Sequence, residues 1–330
     1  MNKITLRDIS KHLNLSISTV SRALKNHPDI SEETKEKVMQ LAALMEYEPN
    51  AFAISLRTNQ SRLFGVIVPE ISNFFYHSFI AALEEESRKS GHSLLILQSG
   101  NNPAVEAENL KLCRLNRVAG IFVCLSTGSV DMNRFRKIEE SGTPVVFFDK
   151  VPDTDSCNKV RLADETAATL AAEKIIERRS KRILAIFGDP SLSISQKRKQ
   201  AFSDALKGET ARQLVIVHAQ SSNEAFLKTQ KELAKKTKPD TLFSMSDEIL
   251  TGVMKAVQQK RIKVPDQLGI ITISNDGFIP RLYDPEITYI ETSGRQLGIM
   301  AFKRMLEHLE GKRFYRELVV PAQLVNGQSI

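Results

Sequence analysis

Along the first fifty residues, apolar side chains recur three and four positions apart, and no stretch alternates. "TLRDISKHL" puts Leu6, Ile9 and Leu13 on one helical face, and Thr5 followed three residues on by Asp8 has the form of a capping box. "NL" makes a short turn. Ser16 then caps a second helix that carries Val20, Ala23 and Leu24 inward. "NHPDI" breaks the chain, and Ser31 with Glu32 and Glu33 starts a third helix through Val38, Leu41 and Leu44. Three short helices can bury one small core.

The pattern changes at "EPNAFAISLRTNQS", residues 48–61. Pro49 punctuates the preceding helix, and Asn50 caps another over residues 51–57. Two turns are too few to stand alone in water, so something else must order them. From residue 62 to 330, apolar runs alternate with helical stretches. One series falls at 63–69, 92–97, 119–125 and 144–149, and a second at 182–188, 214–219, 241–246 and 268–274. Near-continuous apolar strands separated by helices predict parallel sheets covered on both faces, here in two α/β lobes. Ligands in such sheets sit beyond the strand C-terminal ends. Facing lobes would line a cleft with those ends.

Charge sharpens the division. The chain carries a net charge of +7. Up to Pro28, the cations Lys3, Arg7, Lys11, Arg22 and Lys25 meet only one anion, Asp8, so more than half of the excess lies in the first 28 residues. That concentration suits a polyanionic partner. The cysteines Cys113, Cys124 and Cys157 are odd in number and lack metal spacing, which points to a reducing compartment. No apolar run approaches the roughly 18–20 residues of a membrane span, and the polar start has no secretory core. The expected location is the cytoplasm, with no membrane contact. GxGxxG, GxxxxGK[ST], GxSxG and HExxH are all absent, and the six histidines are scattered. No enzyme, cofactor or metal is expected.

"SISTVSRALK" (16–25) is unusual for a core helix: four hydroxyl residues and an arginine surround one valine. A short turn and a second helix with a small, polar face fit the helix-turn-helix geometry, in which that helix enters the major groove. Ile17 and Ser18 stand at its leading end, Ile17 suited to a thymine methyl. Arg22, one turn on, suits guanine O6 and N7. The plain alternative is a helical docking domain with a solvated hydroxyl face.

"ITLRDISKHLNLSISTVSRALKNHPDISEETKEKV" and "YEPNAFAISL" resemble the head of the lactose-repressor (LacI/GalR) family of bacterial transcription regulators. The likeness continues more loosely to the C-terminus. It implies a head at 1–48, a hinge helix at 49–61 and an effector-binding, dimerising domain at 62–330. The N-subdomain would comprise about 62–160 and 291–320, the C-subdomain about 161–290 and 321–330, both like periplasmic sugar-binding proteins. The resemblance also implies that Ile17, Ser18 and Arg22 read bases and that Thr5, Ser16, Thr19 and Ser21 touch phosphates. Asn50 would begin a hinge helix that wedges Leu56 into the minor groove, unstacking a base step; the alternative for Leu56 is packing against the head. A homodimer on a palindromic operator follows, and no leucine-heptad tail is seen after "AQLVNGQSI".

For the effector cleft, the same resemblance implicates Phe74 or Phe75 as a stacking platform, Asp149 at a strand end, and Arg198. Phe243 and Asp247 follow another strand, with core packing and helix capping as their respective alternatives. Where the family commonly reads "GFDD", this chain has Ser274 and Asn275 in "TISND". Loss of an anion at Ser274, with Arg198 kept, favours a carboxylated sugar among carbohydrate-derived effectors. The implied function is a transcriptional repressor controlled by that effector. The rivals are a solute-binding protein, which the basic head argues against, and an enzyme of the same fold.

Overall fold

The N-terminal helices begin where capping side chains stand. α1 (Leu6–Leu13), α2 (Ile17–Ala23) and α3 (Glu32–Leu44) follow one another closely. The Thr5 backbone N–H and hydroxyl both donate to the Asp8 carboxylate, at 2.9 and 2.6 Å. Thr19 N–H donates to Ser16 Oγ at 3.0 Å, and Thr34 N–H to Ser31 Oγ at 3.3 Å. Ile9, Val20, Ala23, Val38 and Ala42 form the core, with Leu6, Leu13, Leu24 and Leu41 packed around it. Leu44 is 81% exposed, because Leu41, Ala42 and Met45 already occupy the inner face at that end of α3.

The structure, a computed structural model, describes residues 4–47, 61–126, 128–129, 131–208, 212–312 and 314–330. The expected hinge helix, with Asn50 and Leu56, lies outside the described residues. The chain divides into two compact units at Gln60 and Ser61.

The second unit contains two lobes. The first begins with β1 (Leu63–Val68), α4 (Phe74–Lys89), β2 (Ser93–Gln98), α5 (Pro103–Leu115) and β3 (Gly120–Val123), then α6 (Asn133–Glu140), β4 (Val145–Phe148) and β5 (Asn158–Leu162). The chain crosses after Leu162 into the second lobe: α7 (Asp164–Glu177), β6 (Arg182–Phe187), α8 (Ser193–Ala205), β7 (Gln213–His218) and α9 (Ser222–Leu233). That lobe continues with β8 (Thr241–Ser244), α10 (Asp247–Gln259), β9 (Gly269–Ser274) and β10 (Thr288–Glu291). It returns to the first lobe as α11 (Gly294–Leu309) and β11 (Glu317–Val320), and crosses a third time to β12 (Gln323–Val325).

The sheet orders are β11-β5-β4-β3-β1-β2 and β12-β10-β9-β8-β6-β7. The first sheet is parallel throughout, with Val66 opposite Phe122. In the second, β12 pairs antiparallel with β10. This departs from the all-parallel expectation because β12 arrives directly from the other lobe, without a crossover helix. β3, β4, β8 and β9 are buried at every residue, whereas the edge strands β2 and β7 are half exposed.

Aromatic rings fill both lobes. Phe79 of α4 stacks on Phe148 of β4 at 3.8 Å between centroids. In the second lobe, α9 and α10 press together at Gly252, where a Cβ would lie 2.0 Å from the Ser222 carbonyl oxygen and 2.9 Å from Ala225 Cβ. Only a residue without a side chain permits that approach.

Candidate nucleic-acid face and ligand cleft

On α2, the buried Val20 and Ala23 fix which face turns outward. Ser16, Ile17, Ser18 and Arg22 are exposed, while Thr19 and Ser21 are half-buried. Ser18 and Arg22 are four residues apart and so share one helical face. Ile17, 48% exposed, stands beside them with no core role. Ser16 Oγ lies 2.7 Å from Ser18 Oγ and 2.8 Å from Thr19 Oγ1, which ties the hydroxyls into one cluster at the start of the helix. Arg22 Nη1 stands 3.9 Å from Asp29 Oδ2, with both side chains more than half exposed. Such a pair contributes little and leaves the guanidinium accessible. Thr5 is exposed, with its hydroxyl engaged by Asp8.

In the second unit, the C-terminal strand ends of both lobes border a cleft of about 690 Å³. From the first lobe come the loop after β1 and the start of α4. Asn73 caps α4 by accepting from Phe75 N–H at 2.9 Å. This presents Phe74, 53% exposed, and half-buried Phe75 to the cleft. Asp149, just past β4, has a left-handed backbone with φ of 58°. The buried Tyr76 hydroxyl donates to Asp149 Oδ2 at 2.7 Å, and Cys124 Sγ approaches the same oxygen at 3.6 Å. Burial, then the Asp149 charge, pushes the Tyr76 phenol well above its ordinary range, so it remains a donor. Lys150 Nζ donates to Asn101 Oδ1 at 3.1 Å on the same wall.

The second lobe supplies a charged pair. Arg198 on α8 is 4% exposed. Its Nε and Nη2 lie 2.9 and 2.7 Å from Asp164 Oδ1, and its Nη1 donates to the Met245 carbonyl at 2.8 Å. Asp164 is the first residue of α7, where the helix start favours an anion. Burial raises its carboxyl against the lowering pull of Arg198. The expected carboxylated sugar rested on an anion lost at Ser274 with Arg198 kept; in the structure the Arg198 guanidinium already has a carboxylate.

Asp247, the first residue of α10, accepts from Ser274 Oγ at 2.6 Å and from Asn275 N–H at 2.9 Å. Burial pushes its carboxyl up to about 6, restrained by those two hydrogen bonds. The helix cap itself is Ser246, whose Oγ accepts from Ile249 N–H. Ser274 is 1% exposed and sits behind Asp247 rather than on the cleft wall. The Asn275 amide donates to Phe74 O at 3.3 Å and accepts from Gly294 N–H at 2.8 Å, linking the lobes. Phe243 is fully buried and stacks on Phe202 at 4.5 Å. Its ring belongs to the core of the second lobe, not to the effector cleft as expected.

Among the site residues that sequence reasoning missed are Asp164, Tyr76 and Cys124. Tyr76 directly follows Phe74 and Phe75 in the sequence, but no spacing signals its reach to Asp149, 73 positions away. Nor does any local pattern pair Asp164 with Arg198.

Two family matches cover most of the chain. Residues 5–50 match "Bacterial regulatory proteins, lacI family", and residues 61–326 match "Periplasmic binding proteins and sugar binding domain of LacI family". The HTH-type transcriptional repressor PurR of Vibrio cholerae serotype O1 (strain M66-2) is 25% identical over 317 residues, 95% of this chain and 94% of that repressor. The HTH-type transcriptional regulator DegA of Bacillus subtilis (strain 168) is 26% identical over 327 residues, covering 98% of this chain and 97% of its own length. In fold, the chain is similar to the Lac repressor dimer bound to operator and the anti-inducer ONPF. That likeness has a TM-score of 0.89 at 21% identity, with 99% of each chain covered.

Proposed function

From the premise that this chain belongs to the LacI family of bacterial regulatory proteins, we propose that the exposed face of α2 reads an operator and that the cleft holds a carbohydrate-derived effector. The chain is a DNA-binding transcriptional regulator with an effector-binding, periplasmic-binding-protein-like domain. Its role is regulatory rather than catalytic, and its place is the cytoplasm, where the DNA is. The observation that carries the DNA-reading assignment is the outward set Ile17, Ser18 and Arg22, backed by buried Val20 and Ala23. Ile17 offers apolar contact to a thymine methyl, and Arg22 offers a bidentate donor to guanine. Thr5, Ser16, Thr19 and Ser21 supply hydroxyls for phosphate oxygens, which set position rather than sequence.

Two copies bind a palindrome, one head on each half-site, as the symmetry of such sites requires. Asn50 and Leu56 belong to the hinge assignment, which rests on sequence: Asn50 starts a short helix and Leu56 supplies the apolar wedge. In the cleft, Phe74 and Phe75 form the aromatic platform, while Asp149, Arg198 and Asp247 orient hydroxyl groups. Asn275 couples the lobes, and Ser274 acts through Asp247. The effector shifts the population between states that differ in affinity for the operator, and only its differential affinity for those states can do so.

Selection of bound duplexes from a random pool, followed by gel shifts, tests this reading. Binding should fall steeply with salt. Arg22→Ala should cost about 1–3 kcal/mol and relax specificity at one base position. Failure of the protein to retain any duplex at low ionic strength overturns the reading, and an equal loss on every sequence overturns the base-reading role of Arg22.

A further inference from the structure

Arg198 is the cation that an acidic ligand would be expected to seek in this cleft, yet its charge is balanced from behind. Asp164 is 6% exposed and holds both Nε and Nη2, while Met245 O holds Nη1. Of the five N–H groups of a guanidinium, two remain. These two have no uncompensated charge behind them.

The rest of the wall points the same way. Glu70, Asp149, Asp189, Asp247 and Glu248 border the cleft, and the cations beside them are Lys150 and Arg198. An incoming carboxylate meets like charge on several sides, in a setting where charges interact more strongly than in water. A polyol meets many acceptors and the rings of Phe74 and Phe75, the mixture that suits a ligand rich in hydroxyl groups.

Building on the effector reading above, we propose that the cleft selects uncharged sugars or polyols over carboxylated ones, with Asp164 as the residue that sets this preference. Asp164 is a positioning residue. It acts through Arg198 by cancelling the charge that would otherwise recruit an acid. Its substitution therefore changes the ratio of affinities between an acid and its neutral counterpart, which a merely structural role would leave alone.

The test uses the full chain, titrated calorimetrically with glucose, galactose and ribose and with the matching acids glucuronate, galacturonate and ribonate. Wild type, Asp164→Asn, Asp164→Ser and the double variant Asp164→Asn/Arg198→Met are compared, each checked for folding by circular dichroism. The wild type is expected to bind neutral members of the set. Either single variant should raise affinity for an acid relative to its neutral partner by at least about tenfold, and the double variant should lose that gain. An unchanged ratio in both single variants, a wild-type preference for acids, or no binding of any probe by any variant overturns the proposal. Duplex selection on the same preparations separates the two failures. Protein that retains duplex with an unchanged ratio refutes only the Asp164 assignment, whereas protein that retains no duplex refutes the reading beneath it.

Discussion

Asp247 couples the stability of the second unit to pH, with a sign opposite to that of a carboxylate in a surface ion pair. In the folded chain its carboxyl is pushed by burial from 3.8 up to about 6. Between those values the folded form keeps a proton that the unfolded form has released. Stability therefore falls as pH rises from about 4 to about 6, then levels off. The gap between 3.8 and about 6 corresponds to about 3 kcal/mol at most. Asp247→Asn removes the titration. Urea unfolding of both proteins, followed by far-UV circular dichroism at constant ionic strength, isolates the effect as a difference. The variant should gain about 3 kcal/mol on the wild type between about pH 4 and about pH 7. Ser274→Ala, which deletes the 2.6 Å bond to the carboxylate, should move the wild-type transition to higher pH. Parallel stability profiles for wild type and Asp247→Asn would refute the reasoning.

Three further expectations concern stability alone. Ser16→Ala removes the acceptor for Thr19 N–H and should destabilise the head by about 1 kcal/mol, read as faster hydrogen exchange of the α2 amides; unchanged exchange would show that the cap contributes nothing. Tyr76→Phe leaves Asp149 Oδ2 with the Cys124 thiol at 3.6 Å and should cost about 1.5–3 kcal/mol in denaturant unfolding. Gly252→Ala drives a Cβ toward the Ser222 carbonyl and should cost about 1–3 kcal/mol, seen as a lower thermal midpoint. A midpoint equal to that of the wild type would mean that α9 and α10 separate freely.

Continuous apolar runs announced eight strands, and six of them, β1, β3, β4, β6, β8 and β9, are buried at every residue or all but one, whereas β2 and β7 keep the apolar run at half-exposed edges. β5 was invisible for a physical reason. "NKVRL" is polar, yet Asn158 is fully buried, and its Oδ1 accepts from Arg304 Nε at 2.7 Å. The partner that makes such burial tolerable lies 146 positions away, beyond the reach of any local pattern. β10, β11 and β12 are short and mix polar with apolar residues, "TYIE", "ELVV" and "QLV", so no continuous apolar run marks them. Phe243 had two readings from sequence, and stacking on Phe202 of α8 selects the core. Asp149 and Arg198 were named by resemblance. Only the folded chain reveals that one accepts from a phenol and the other is already neutralised. In the head, each cap lies within three residues of the group it holds and each helix turns one apolar face inward, so caps and core were legible there, apart from the outward turn of Leu44.

The three passages between lobes, at residue 163, at 292–293 and at 321–322, have a mechanical consequence. One strand joining two bodies would let them swivel about any line and drift sideways. Three short tethers remove the sideways drift and most of the swivels, and what survives is a turn about the line through the tethers. Work done by a bound molecule on these bodies must therefore emerge as torsion about that line, whichever side chains perform it.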